Sequence, residues 1–258
     1  MLRKGDLTQG GITGTLLHFT LPMMVGSFLQ QCYNIADTLI VGQCIGAGAL
    51  AAVGSAYTLM VFLISVLLGL AMGSGTVFSL HYGAGNHVAL RRSIFSSFVL
   101  IGIVTLILNV AVFIWLDPIL RLLQVPQDIY GMMRSYSWII FCGIVFTFIY
   151  NFYASLLRAV GDSVTPLWFL AVSVVLNIAL DLFFILQLDW GIQGAAAATV
   201  LAQGVAALGI IIYTYRRRPE LRWHHEDMCF DRTCLKEIAS FSTLTCVQQS
   251  VMNLGILM

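Results

Sequence analysis

Two aspartates, Asp37 and Asp181, stand inside apolar stretches long enough to cross a bilayer. A charged side chain at the centre of a membrane helix costs about 2.5–3.5 kcal/mol. Asn or Ser would supply a neutral interhelical hydrogen bond at lower cost, so both acids indicate a function that uses charge. Asn177 precedes Asp181 by four residues, which puts the two on one helix face, able to bind one ligand together. Tyr136, Thr199, Asn151 and Asn34 add further oxygens within the apolar stretches. For each of these four alone, an interhelical hydrogen bond is the ordinary use, contributing about 0.6 kcal/mol. Taken together, carboxylate, amide, phenol and hydroxyl oxygens suit a proton relay or a hard cation such as Na⁺. Two carboxylates withdrawn from water side by side disfavour the doubly charged form, so the pair is expected to hold one proton between them.

The elements that must position these groups are membrane helices. The chain is 59% hydrophobic and only 10% charged, with a mean hydropathy of +0.90, where a soluble domain carries about 25% charged residues. Its net charge of +1 makes nucleic acid an unpromising partner. Apolar runs of membrane length predict six complete spans, approximately Leu16 to Val41, Leu50 to Leu80, Ile94 to Leu116, Ser135 to Leu157, Leu167 to Leu188 and Ile192 to Tyr213. A seventh begins near Ile238 and is still apolar at Met258. The second run is longer than a bilayer requires, and Gly69, Gly73 and Gly75 are its expected bend sites. The first run is too long for a cleaved signal and is expected to remain as a helix.

Placing the N-terminus in the cytoplasm puts eleven Lys and Arg on the inner side, among them Arg91, Arg92, Arg158, Arg216, Arg217, Arg218 and Arg222, against only Arg121 and Arg134 outside. The positive-inside rule therefore favours that orientation in a cytoplasmic membrane. It also sets depth. Asp37 near the outer end of span one, Asp181 in the outer half of span five, Tyr136 at the start of span four and Thr199 about two turns into span six all fall in one outer layer. Asp37, Tyr136, Asn177, Asp181 and Thr199 are thus expected to converge from four helices. Asn34 lies one turn below Asp37, and Asn151 lies deeper. Asn34, Phe148, Phe152, Phe183 and Trp168 are candidates for the wall of a substrate cavity.

The stretch Arg216 to Glu237 is expected to be a cytoplasmic linker, giving residues 1–215 as a six-helix lobe, 216–237 as the linker and 238–258 as the first helix of a second lobe. His224, His225, Glu226 and Asp227 are adjacent rather than spaced, which is poor geometry for zinc, so a solvated linker is the better reading and no metal beyond a possible Na⁺ is expected. The six cysteines form no disulfide or CxxC pattern, and nothing in the chain calls for a cofactor.

Several runs together resemble the multidrug and toxic compound extrusion (MATE) family. They are LPMMVGSFLQQCYNIADTLIVG in the first span, AAVG at the head of the second, GAGNHVALRR between the second and third, LLRAVGDSVTP between the fourth and fifth, and NIALD in the fifth. Each is weak alone; their order is specific, and the likeness extends over nearly the whole chain. The resemblance implies twelve membrane helices in two six-helix lobes and the export of organic cations and other amphipathic drugs in exchange for H⁺ or Na⁺. Asp37, Asn177 and Asp181 match the cation site of the branch that resembles the DNA-damage-inducible protein F group, and Tyr136, Asn151 and Thr199 match polar positions of the same lobe. Twelve spans need about 440 residues, against 258 here. The run ASFSTLTCVQQSVMN echoes HFTLPMMVGSFLQQCYN, as the opening helix of a second repeat would. The expected fold is an all-α polytopic membrane protein comprising one six-helix lobe and part of a seventh helix, without most of the second lobe.

Two other functions fit less well. A lipid-linked oligosaccharide flippase of the same superfamily needs a cationic cavity for pyrophosphate, and spans one to six hold no Lys or Arg away from their edges. An intramembrane aspartyl protease would pair two acids that share a proton, but the nearest approach to its GxGD run is Ala159-Val160-Gly161-Asp162, which lacks the first glycine. The chain is not expected to be an enzyme.

Overall fold

The computed structural model describes residues 12–122, 124–222 and 232–257, so the His224–Asp227 run lies outside the described residues. The described chain folds as eight α-helices: α1 (Ile12–Cys44), α2 (Ala47–Gly83), α3 (His87–Leu122), α4 (Gln127–Cys142), α5 (Ile144–Ala159), α6 (Val164–Leu182), α7 (Gly191–Arg217) and α8 (Arg232–Leu257). A π-helical segment, Phe183–Gln187, follows α6, and a 3-10 turn, Pro219–Leu221, follows α7.

Local chemistry sets the joints. Asn86 accepts the amide N–H of Ala89 at 3.0 Å and so starts α3. In the VGD turn, Gly161 takes φ +87°, which costs glycine least. Asp162 then accepts the backbone N–H and the hydroxyl of Thr165, at 3.0 and 2.9 Å, fixing the start of α6. Arg218, one residue past α7, reaches Asp162 at 3.4 Å and ties the same turn to the end of the last bundle helix.

Among the described residues, α2, α3, α7 and the segment Val164–Gln187 are each long and apolar enough to cross a membrane, and α4 with α5 makes a fifth crossing if taken together. At 33 residues α1 is long enough as well, but Gln30, Gln31, Asn34 and Asp37 on it make it the most polar of the six expected spans. Large apolar side chains point outward along the helices: Phe28 is 71% exposed, Ile114 67% and Val175 69%. In water such a surface would aggregate; in lipid it is the solvated face.

One expectation needs correction. Span four is not one helix. It breaks at Gly143 into α4 and α5, bent by 47°. A Cβ at Gly143 would lie 2.5 Å from Val200 Cγ2, so the missing side chain lets the elbow press against α7. The second span is one continuous helix, α2 running through Gly69, Gly73 and Gly75. Those glycines serve close packing. A Cβ at Gly69 or Gly73 would meet the backbone of α8, and one at Gly75 would meet Ser155 of α5.

The main core lies between α2, α3 and α5. Phe152 is fully buried, with Phe78, Phe98, Phe148 and Tyr153 around it at ring-centroid distances of 5.3–6.0 Å. Around this core α2 contacts α3, α4, α5 and α8, α7 contacts α4, α5 and α6, and α1 lies against α6 and α2.

Candidate cation site

Asn177 and Asp181 are 0% exposed and Asp37 is 8% exposed. Their helices, α6 and α1, pack side by side, and the two carboxylates face each other closely enough for a proton on one to hydrogen-bond the other. Thr199 of α7 closes a third side. Its Oγ1 accepts from Asn177 Nδ2 at 3.3 Å and from the Tyr33 hydroxyl at 3.3 Å. Tyr136 of α4 is buried within electrostatic range of Asp37, Asp181 and Tyr33. The structure thus brings together Asp37, Tyr136, Asn177, Asp181 and Thr199 from four helices.

The hydrogen-bond balance inside this group is uneven. Asp37 Oδ1, Asn177 Oδ1 and both carboxylate oxygens of Asp181 are buried without a protein donor. Most buried polar atoms in folded proteins are paired, and an unmade bond costs about 1–3 kcal/mol. Both lone pairs of Thr199 Oγ1 are engaged, so its own proton is left to donate. Four acceptors on three side chains of α1 and α6 are thus left without a donor, a need that a proton or cation among them would meet.

Other sequence candidates lie elsewhere. Asn151 is on α5, beyond the Gly143 elbow, and its Nδ2 donates to the Thr147 carbonyl one turn back, at 2.8 Å. Thr147 donates in turn to Gln203 of α7. These three side chains form a second, neutral polar group. Asn34 donates to Gln31 of its own helix at 3.2 Å. Phe148 and Phe152 belong to the buried aromatic core rather than to a cavity wall, because they stack against Phe78 and Phe98. Phe183, half exposed, and Trp168, 68% exposed, point outward from the bundle.

Two features were missed in the sequence. Tyr33 joins the site, and the signal was present: it precedes Asp37 by four residues, the spacing that united Asn177 with Asp181. The π-helical segment beginning two residues after Asp181 carried no sequence signal. Such segments recur beside functional sites because they rotate the following side chains out of α-helical register.

The profile of the MatE family matches residues 22–183, from the first helix through the helix that carries Asp181. The chain belongs to the MatE family. Among curated relatives it is similar to a probable multidrug resistance protein, YpnP, of Bacillus subtilis, with 36% identity over 84% of this chain and 49% of the relative. It is also similar to the multidrug export protein MepA of Staphylococcus saprophyticus, with 31% identity over 78% of this chain and 45% of the relative. The chain spans about half the length of the curated relatives it matches. A solved MATE family transporter of the MOP superfamily, in an outward-facing conformation, superposes with a TM-score of 0.92 at 24% identity, over 100% of this chain and 57% of that one. That likeness shows a shared fold.

Proposed function

We propose that this chain is the cation-binding half of an antiporter that exports organic cations and amphipathic drugs from the cytoplasm in exchange for H⁺ or Na⁺. One observation carries the reading. Four buried oxygens, on Asp37, Asn177 and Asp181, are without a donor on two helices, α1 and α6, that pack side by side. A proton or a monovalent cation supplies the positive charge this cluster lacks, and its departure leaves two carboxylates repelling each other across the α1–α6 contact. The ion therefore favours one packing of α1 against α6, and its loss favours another. Coupling follows if the exported compound prefers the second arrangement, since a ligand shifts an equilibrium only by its differential affinity for the two states. The site is anionic and has no Lys or Arg within it, which suits a cationic cargo.

On this reading residues 1–215 form the first lobe, 216–237 a cytoplasmic linker and 238–258 the opening of the second lobe, with the N-terminus on the cytoplasmic side of the inner membrane. The test uses the intact transporter in proteoliposomes, with ethidium as probe and either a pH or a Na⁺ gradient imposed. Asp37→Asn and Asp181→Asn are each expected to reduce gradient-driven ethidium movement to the level of empty vesicles while the protein still inserts. Undiminished movement in either variant overturns the assignment, and the gradient that drives the parent protein identifies the ion.

A further inference from the structure

The start of α3 and the ends of α5 and α7 meet on one side of the bundle, where α3 also contacts the Pro219–Leu221 turn. A small notch between them is lined by the buried Ile94, Leu156 and Leu221 and by Tyr215, Arg218 and Arg222. It lies where the apolar part of α7 gives way to Arg216-Arg217-Arg218, the depth at which tyrosine and arginine meet lipid headgroups. One face of α7 leads to it: Val205, Leu208 and Ile212 are all exposed and follow helical spacing down to Arg216.

Charge around the notch is not balanced. Asp162 and Glu220 both pair with Arg218, at 3.4 and 3.5 Å, so one guanidinium serves two carboxylates. Arg92, Arg158, Arg216, Arg217 and Arg222 have no carboxylate within ion-pair reach among the described residues. Arg158 donates to the Ala154 carbonyl of its own helix at 3.1 Å, and Arg222 folds back on the Tyr215 carbonyl through Nε, at 2.7 Å, and Nη2. Both acceptors are neutral. Arg92 Nε is buried without an acceptor. The group around Arg218 is negative by one charge and the other five arginines are each positive, a surplus of about four, of which the C-terminal dipole of α7 offsets only about half a charge. Membrane orientation is served by Lys and Arg anywhere in the loops of one side; it does not require them to gather round a notch.

We infer that this notch docks the headgroup of an anionic phospholipid, its phosphodiester received by Arg222, Arg216 and Arg217 and its acyl chains lying along Val205, Leu208 and Ile212. Arginine suits the task because its planar fork binds two phosphate oxygens at once, and these three are not committed to carboxylates. The site needs only the membrane crossings described above and is independent of the antiporter reading. On the proposed orientation the leaflet at this end is the cytoplasmic one, whose surface potential is negative.

The test is native mass spectrometry of the intact transporter titrated with dioctanoyl phosphatidylglycerol and, in parallel, with dioctanoyl phosphatidylcholine. Phosphatidylglycerol should bind more tightly. Arg222→Gln should weaken it about fivefold, the worth of one arginine beside an anionic surface, and Arg217→Gln added to it should bring the loss to about 25-fold. Arg121→Gln, in the last turn of α3 at the opposite end of that helix, removes the same charge and should change nothing. Arg217 and Arg222 are exposed, so both variants should keep the parent melting temperature; if Arg222→Gln melts early, Arg217→Gln alone decides, with a fivefold loss expected. Equal affinity for the two lipids overturns the site, as does an Arg121→Gln loss equal to that of Arg222→Gln. Displacement of the lipid by an equal concentration of free glycerol 3-phosphate overturns lipid docking in favour of a site for soluble phosphate.

Discussion

Asp181→Asn should make the protein more stable and, on the proposed mechanism, inactive. Asp181 is 0% exposed, and neither of its carboxylate oxygens meets a protein donor. Asn replaces one acceptor with an NH₂ group directed into a cluster where Asp37 Oδ1 and Asn177 Oδ1 also want donors. Relief of one or more orphaned acceptors is worth about 1–3 kcal/mol in total. At about 2–4 °C per kcal/mol for a chain of this size, the melting temperature should rise by several degrees. Asp37→Asn should gain less, since only Oδ1 of Asp37 is orphaned. The assay is thermal unfolding in detergent, followed by thiol-dye labelling of the native cysteines, beside ethidium movement in vesicles. A fall in melting temperature for Asp181→Asn would mean that the carboxylate is satisfied in the fold, and the argument from unpartnered oxygens would be refuted. A rise together with full transport would refute the coupling role while leaving the electrostatics intact.

Tyr33→Phe removes a donor to Thr199 and should cost about 1 kcal/mol of stability and slow ethidium movement; Asn34→Ala, whose amide bonds only within α1, should leave transport near the parent rate. Gly143→Ala forces a methyl into Val200 and should destabilise by about 1–3 kcal/mol, with Val200→Ala restoring most of the loss in a double-mutant cycle of melting temperatures. Phe152→Ala should cost about 3–5 kcal/mol, as for any buried ring in a packed core. A change in dye preference at unchanged melting temperature would instead return Phe152 to a cavity wall.

Depth and face were both legible in the sequence because a membrane imposes them. Alternating helix direction fixed which ends share a layer, so Asp37, Tyr136, Asn177, Asp181 and Thr199 could be gathered before any coordinates were known. Packing partners were not legible. Tyr33 and Asn34 are adjacent, and only the rotation of α1 against α6 and α7 decides that the phenol reaches Thr199 while the amide turns back to Gln31. Aromatic residues were equally ambiguous: one in an apolar span can be buried in the core, as Phe152 is, or point outward, as Phe183 and Trp168 do, depending on neighbours remote in sequence. Glycine was ambiguous for a related reason. Gly143 and Gly73 look alike in sequence, yet one lies at an elbow and the other within a continuous helix against a neighbouring backbone.

The two kinds of packing bear on where motion can occur. Rotation of α5 against α2 would carry Phe152 away from Phe78 of α2 and Phe98 of α3, and removing a ring of that kind from a core costs about 3–5 kcal/mol. Between α1 and α6 the opposing carboxylates make the contact sensitive to one charge, since two unit charges 4 Å apart repel by about 4 kcal/mol at an effective dielectric of 20. That is short of the roughly 5.5 kcal/mol that moves an equilibrium from 1:99 to 99:1, but it carries one from about 1:30 to about 30:1, enough to exchange the major and minor states. Binding one proton therefore acts on a contact it can change, and displacement should appear between α1 and α6 before it appears in the aromatic core between α2, α3 and α5.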